Sequence, residues 1–149
     1  QMFLHFVEFW ETYKPELIDM EIHLFSDELR IAGTADLICK INDEIWMIDY
    51  KTSNNIHNTY ELQTAAYIKC YEECFGVKIE KAGILWLKSS KRKANKEKMQ
   101  GKGWEMVLPN RSQEENIEIF KTVKRLFDLE NPNDSPSFTE FKTSVKKEL

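Results

Sequence analysis

Three residues carry the strongest chemical signal in this chain. Asp36 lies in Gly33-Thr34-Ala35-Asp36, and Asp49 and Lys51 lie in Ile48-Asp49-Tyr50-Lys51. Alternation along an extended strand puts Asp49 and Lys51 on one face, with Tyr50 on the other. Asp36 and Asp49 sit almost symmetrically about Asn42-Asp43, so a hairpin turning there makes them near cross-strand neighbours. Two carboxylates held that close repel unless a cation lies between them. Hard divalent ions such as Mg²⁺ take oxygen ligands, activate water and neutralise phosphate charge. An acid pair with a lysine two residues along the same strand is therefore poor packing material. It suits metal-assisted hydrolysis of a phosphodiester.

The surrounding pattern supplies elements that could position these groups. Phe3, Phe6, Val7 and Trp10 recur at helical spacing, which predicts an amphipathic helix ending near Lys14-Pro15. Residues 18–26 and 29–41 read as strands joined by Ser26-Asp27-Glu28. A third strand, Ile45 to Tyr50, follows the Asn42-Asp43 turn. Asn58 with Glu61 three residues on predicts a capped helix running to Phe75 and stopping at Gly76. Val77 to Leu87 reads as a strand, with an apolar centre suited to a middle position. Trp104 to Leu108 reads as a strand returning to it. Ser112 and Glu115 form a capping box before a stripe of Ile119, Phe120, Val123, Leu126 and Phe127. Pro132 and Pro136 mark a loop before a polar tail. The order α-β-β-β-α-β-β-α predicts an α/β (mixed α+β) fold, with a central mixed sheet flanked by helices.

Composition agrees. With 149 residues, 42% hydrophobic and 31% charged, the chain suits one globular domain over 1–149 rather than a disordered segment. No apolar run approaches the roughly 18 residues of a membrane span, so no membrane partner is expected. Three cysteines, Cys39, Cys70 and Cys74, are too few and too odd for a disulfide framework; they fit a reducing, cytoplasmic setting. The chain begins at Gln1 rather than Met, which leaves room for N-terminal residues ahead of it. Net charge is −4, but residues 88–102 hold seven basic side chains and one acid, +6 in all, leaving −10 elsewhere. An acidic body with a basic loop over 88–103 suits a protein that holds cations in one place and phosphates in another. That loop reads either as a phosphate clamp, with Trp86 or Trp104 stacking on bases, or as a solvated loop. His5, His23 and His57 read as solvent-facing or partly buried residues outside the chemistry.

Gly33-x-Ala-Asp36, Asp49-x-Lys51 thirteen residues after Asp36, and Gln63-x-x-x-Tyr67 starting twelve after Lys51 together resemble the signature of RecB-type, phage-like exonuclease domains. These belong to the PD-(D/E)XK nuclease superfamily. The resemblance covers roughly residues 20 to 90. It implies a restriction-endonuclease-like core and a Mg²⁺- or Mn²⁺-dependent enzyme, with one or two ions, that hydrolyses DNA in recombination, repair or phage DNA processing. It implies that Asp36, Asp49 and the Tyr50 carbonyl bind metal, and that Glu21 on the first strand is the upstream acid for a second metal. Lys51 would hold the attacking water or stabilise developing charge, Gln63 would orient the lysine region, and Tyr67 would support a phosphate. Thr52, Ser53, Lys88, Lys91, Arg92 and Lys93 would contact the DNA backbone.

Many relatives of this type carry a metal-binding histidine on an early helix, to which His5 does not clearly correspond. The cysteine set of iron–sulfur members is absent. The reading leaves open a structure-selective or site-specific endonuclease, a catalytically inactive DNA-binding module of the same fold, and assembly as a homo-oligomer or within a larger recombination complex.

Overall fold

The computed structural model describes residues 1–93 and 98–133. Their elements follow the predicted order. They are α1 (Met2–Tyr13), β1 (Glu16–Ser26), β2 (Ile31–Ile41), β3 (Glu44–Lys51), α2 (Thr59–Phe75), β4 (Lys81–Leu87), β5 (Trp104–Val107) and α3 (Gln113–Glu130). The strands form one mixed sheet in the order β1-β2-β3-β4-β5. Only β3 and β4 are parallel, and α2 makes the crossover between them. Among the described residues no helix is long and apolar enough to cross a membrane.

The middle of the sheet is covered on both faces. On one face Leu24, Ala35, Ile38 and Met47 pack with Ile68, Cys70 and Tyr71 of α2. On the other, Leu37, Cys39, Ile48 and Leu85 pack against Phe9, Phe6 and Trp10 of α1, with Trp104 from β5. The hairpin turn between β2 and β3 uses consecutive left-handed residues, Asn42 (φ 51°) and Asp43 (φ 67°). These are residue types that tolerate the backbone of a tight hairpin. α1 ends on left-handed Lys14 directly before Pro15, and α2 ends on Gly76 at φ 67°.

Three expectations need correction. Asn58 makes no side-chain cap on α2; its backbone is helical, and Tyr60 N donates to His57 O at 3.0 Å instead. Glu61, expected in that cap, is buried and turned toward the start of α3. There it accepts from Asn110 Nδ2 at 2.9 Å and Arg111 N at 3.4 Å. Burial alone would push its pKa up, but these donors and Asn116 hold it below the usual glutamate range. β4 starts at Lys81 rather than Val77, because Glu80 N bonds Ile45 O and closes the crossover before the ladder begins. The capping box of α3 forms as expected, with Ser112 and Glu115 bonded reciprocally. Along its apolar stripe Val123, Leu126 and Phe127 are all more than half exposed, and Asn116 is the buried residue of the helix. Pro136 and the polar tail lie outside the described residues.

Candidate active site

β2 and β3 pair regularly from Ile41↔Glu44 to Leu37↔Ile48. One step further in the same register, Asp36 stands opposite Asp49. There the ladder gives way to a side chain, and Tyr50 N donates to Asp36 Oδ2 at 2.7 Å. Strand alternation also breaks at this point. Ala35 packs on the α2 side of the sheet and Leu37, two residues on, on the α1 side. Across the β1–β2 ladder, Glu21 falls between the pairs Met20↔Leu37 and Ile22↔Ala35, opposite Asp36, with a left-handed φ of 48°. A glutamate in that conformation within a strand is strained. The bend lets both strands change face around Asp36.

Asp49 and Lys51 project to the α2 side. Asp49 is 7% exposed, and its Oδ2 lies 2.6 Å from Lys51 Nζ yet makes no hydrogen bond of regular geometry among the described residues. Burial pushes its pKa up, the Lys51 ammonium pulls it down, and the nearby Asp36 charge raises it again. Lys51 Nζ donates to Gln63 Oε1 at 3.1 Å and sits 4.8 Å over the Tyr60 ring. Gln63 Nε2 in turn donates to the Tyr67 hydroxyl at 3.2 Å. Gln63 and Tyr67, one helical turn apart, therefore continue a polar chain that starts at Asp49. Gly33 makes room for it: a Cβ there would lie 2.4 Å from Tyr67 Cε1.

The structure brings together Asp36, Asp49, Lys51, Gln63 and Tyr67. It does not gather a larger acid cluster. Among the described residues, no group of three or more His, Cys, Asp or Glu side chains could hold a metal ion. Glu21 is exposed and faces Asp36 only through the strand register. The two-carboxylate arrangement still fits a hard cation. Its donors are all oxygen, and one of them is a buried, irregularly satisfied carboxylate oxygen whose charge the fold disfavours.

The remaining expected contacts are partly engaged within the protein. Thr52 O accepts from Arg92 at 2.5 Å, and Ser53 O accepts from Trp86 Nε1 at 2.9 Å. Ser53 Oγ donates to Asn55 O at 2.7 Å. Lys88 is ion-paired with Glu105 and lies over the Trp86 ring, 4.8 Å from its centroid. Trp104 packs edge-on against Phe9 and Tyr13. Neither tryptophan is therefore a bare platform for bases. Lys91 and Lys93 are exposed, whereas Lys96 lies outside the described residues. His5, expected to be solvent-facing or partly buried, is 6% exposed: Nδ1 donates to Lys88 O at 2.9 Å, and Nε2 accepts from Gly103 N at 3.2 Å. It pins α1 to the neck of the basic loop. The apolar neighbours Phe6 and Phe9 hide that role in the sequence. His23 meets Thr34 Oγ1 at 3.0 Å across β1 and β2, and His57 stands edge-on to Tyr60.

A search of curated proteins finds no match to the chain. The family model of the PD-(D/E)XK nuclease superfamily matches residues 2–147. That span includes every element described, from the helix that pins the basic loop to the helix that Glu61 anchors. A mixed five-stranded sheet flanked by helices is consistent with a restriction-endonuclease-like fold, and the chain belongs to the PD-(D/E)XK nuclease superfamily.

Proposed function

We propose that this chain is a metal-dependent deoxyribonuclease of the RecB type, acting as an exonuclease in recombination, repair or phage DNA processing. The observation that carries the reading is the meeting of Asp36, Asp49 and Lys51 at one sheet end, with Lys51 tied to Gln63 on α2. Asp36, Asp49 and the Tyr50 carbonyl would hold Mg²⁺ or Mn²⁺, and Glu21, opposite Asp36, would serve a second ion. A bound dication supplies charge neutralisation on the phosphate and an acidified water. Lys51 offers a positive donor to the attacking water or the developing phosphorane charge. Gln63 restricts that ammonium to one direction, and Tyr67 fixes the Gln63 amide. Lys91 and Lys93 would meet the phosphate backbone. Contacts of that kind bind without reading sequence.

The test is cleavage of end-labelled single- and double-stranded DNA with Mg²⁺ or Mn²⁺, by wild type and Lys51→Ala in parallel. Lys51→Ala is expected to lose about 10²–10³-fold in rate, the scale of removing one transition-state donor, with its circular dichroism unchanged. Equal cutting by the two proteins rejects the proposal. Closed circular DNA should resist; if it is cut as fast as linear DNA, the enzyme is an endonuclease on this fold.

A further inference from the structure

The basic loop does more than carry charge. Its neck is closed by Lys88 N donating to Gly103 O at 3.1 Å and Gln100 N donating to Arg92 O at 2.8 Å. Gln100 is 6% exposed, and its side-chain amide is used at both ends. Oε1 accepts from Ser89 N at 2.9 Å, while Nε2 donates to Ser53 O at 2.8 Å and reaches Asn54 Oδ1 at 3.4 Å. Trp86 Nε1 donates to the same Ser53 carbonyl, and Arg92 donates to that of Thr52. Three side chains from β4 and the loop thus converge on two successive carbonyls immediately after Lys51. Those carbonyls have left the ladder, because β3 ends at Lys51 and α2 does not begin until Thr59. Where the sheet no longer dictates the backbone path, this cluster does. A buried amide satisfied at both ends is costly to disturb, so the path it sets is well defined.

We propose that Gln100 is a positioning residue for Lys51. It fixes the Thr52–Asn54 backbone, and through it the placement of the ammonium against Asp49 and Gln63. As a role in catalysis this rests on the nuclease reading above. It also gives Arg92 and Trp86 a task inside the protein, as fellow donors to the same segment.

Gln100→Glu separates the two ends of the amide. It keeps an acceptor for Ser89 N, and so the neck, but sets a carboxylate oxygen against Ser53 O. Gln100→Leu removes both ends. Two measurements decide the proposal. In steady-state cleavage of linear DNA, Gln100→Glu is expected to lower kcat about 10–100-fold and to change KM less than about 3-fold, as misplacement of a catalytic group does. By hydrogen exchange, the Trp86 indole N–H, which donates to the same Ser53 carbonyl, is expected to exchange about 10-fold faster or more than in wild type, with β1 and α2 unchanged. A purely structural glutamine would instead lower thermal stability in both variants and leave kcat per folded molecule intact. Wild-type exchange of the Trp86 indole N–H in Gln100→Glu overturns the proposal whether or not the protein cuts DNA. So does an unchanged kcat. If wild type cuts nothing, the nuclease reading fails by itself, and the exchange measurement still judges the positioning.

Discussion

The two ends of the β2–β3 hairpin are built on opposite principles. At the closed end the ladder is regular, Ile38, Cys39 and Met47 are fully or nearly fully buried, and Asn42 and Asp43 take up a backbone they tolerate well. At the open end a carboxylate replaces a ladder acceptor, an aspartate is buried beside a second one, and Glu21 is held at φ 48°. No gain in packing explains these costs. The closed end supplies the stability that lets the open end keep groups in an arrangement they would not choose alone. Sites of function are commonly such local exceptions in an otherwise self-consistent fold.

The contrast can be broken by substitutions that should act on one end and spare the other. Asp36→Asn keeps an oxygen for Tyr50 N but removes the charge. It is expected to cut DNA about 10³-fold more slowly, roughly 4 kcal/mol in the barrier, with little change in melting temperature. Melting curves beside the cleavage assay check it, and a large loss of stability would mean the Asp36 charge is structural. Ile38→Ala, on the α2 face near the closed end, should do the reverse. Denaturant titration is expected to show about 2–5 kcal/mol of lost stability, as for other buried aliphatic truncations, with the rate per folded molecule retained. Gly33→Ala probes the seam between the ends. Its Cβ must displace the Tyr67 ring, so a loss of about 1–3 kcal/mol is expected, together with slower cutting. In a Tyr67→Leu background, thermal melts should show the stability cost largely relieved. An equal cost in both backgrounds would show that Tyr67 is not what Gly33 makes room for.

Much of the open end is legible in sequence because its chemistry depends on spacing. The period of two places Asp49 and Lys51 on one face, symmetry about Asn42-Asp43 sets Asp36 opposite Asp49, and one helical turn joins Gln63 to Tyr67. The element order follows from hydrophobic periodicity for the same reason. What could not be read depends on contacts between distant segments. Glu61 looks like a cap because Asn58 precedes it by three, yet Asn110 and Arg111, far along the chain, claim its carboxylate. Nothing near His5 in the sequence points to Lys88 and Gly103, which hold its ring. Gln100 carries no local signal at all, since its partners Ser53 and Ser89 meet it only after the sheet has formed. Periodicity predicts the stripe on α3 but does not say whether a surface is present to receive it.

The smallest expected effect sharpens the comparison most, because its sign is unusual. Burial, aided by the Asp36 charge and opposed by Lys51, raises the Asp49 pKa in the fold. A raised carboxyl pKa means that folding disfavours the charged form. This group therefore costs stability above its folded pKa, and the cost fades as pH falls through that value toward the ordinary aspartate value of 3.8. Asp49→Asn is thus expected to abolish cutting while raising the metal-free melting temperature at pH 7 by a few degrees, roughly 1 kcal/mol. Glu28, Glu61 and Glu73 have lowered pKa values and pull wild-type stability the other way on acidification. The informative quantity is therefore the difference between the two proteins, in which those shared terms cancel. That difference should shrink as pH drops through the Asp49 transition. Added Mn²⁺ should also erode it at pH 7, by stabilising wild type and not the variant. A variant less stable than wild type at pH 7, or a gap that widens on acidification, would mean that the Lys51 ion pair outweighs burial. The open end would then be held together by its charges rather than in spite of them.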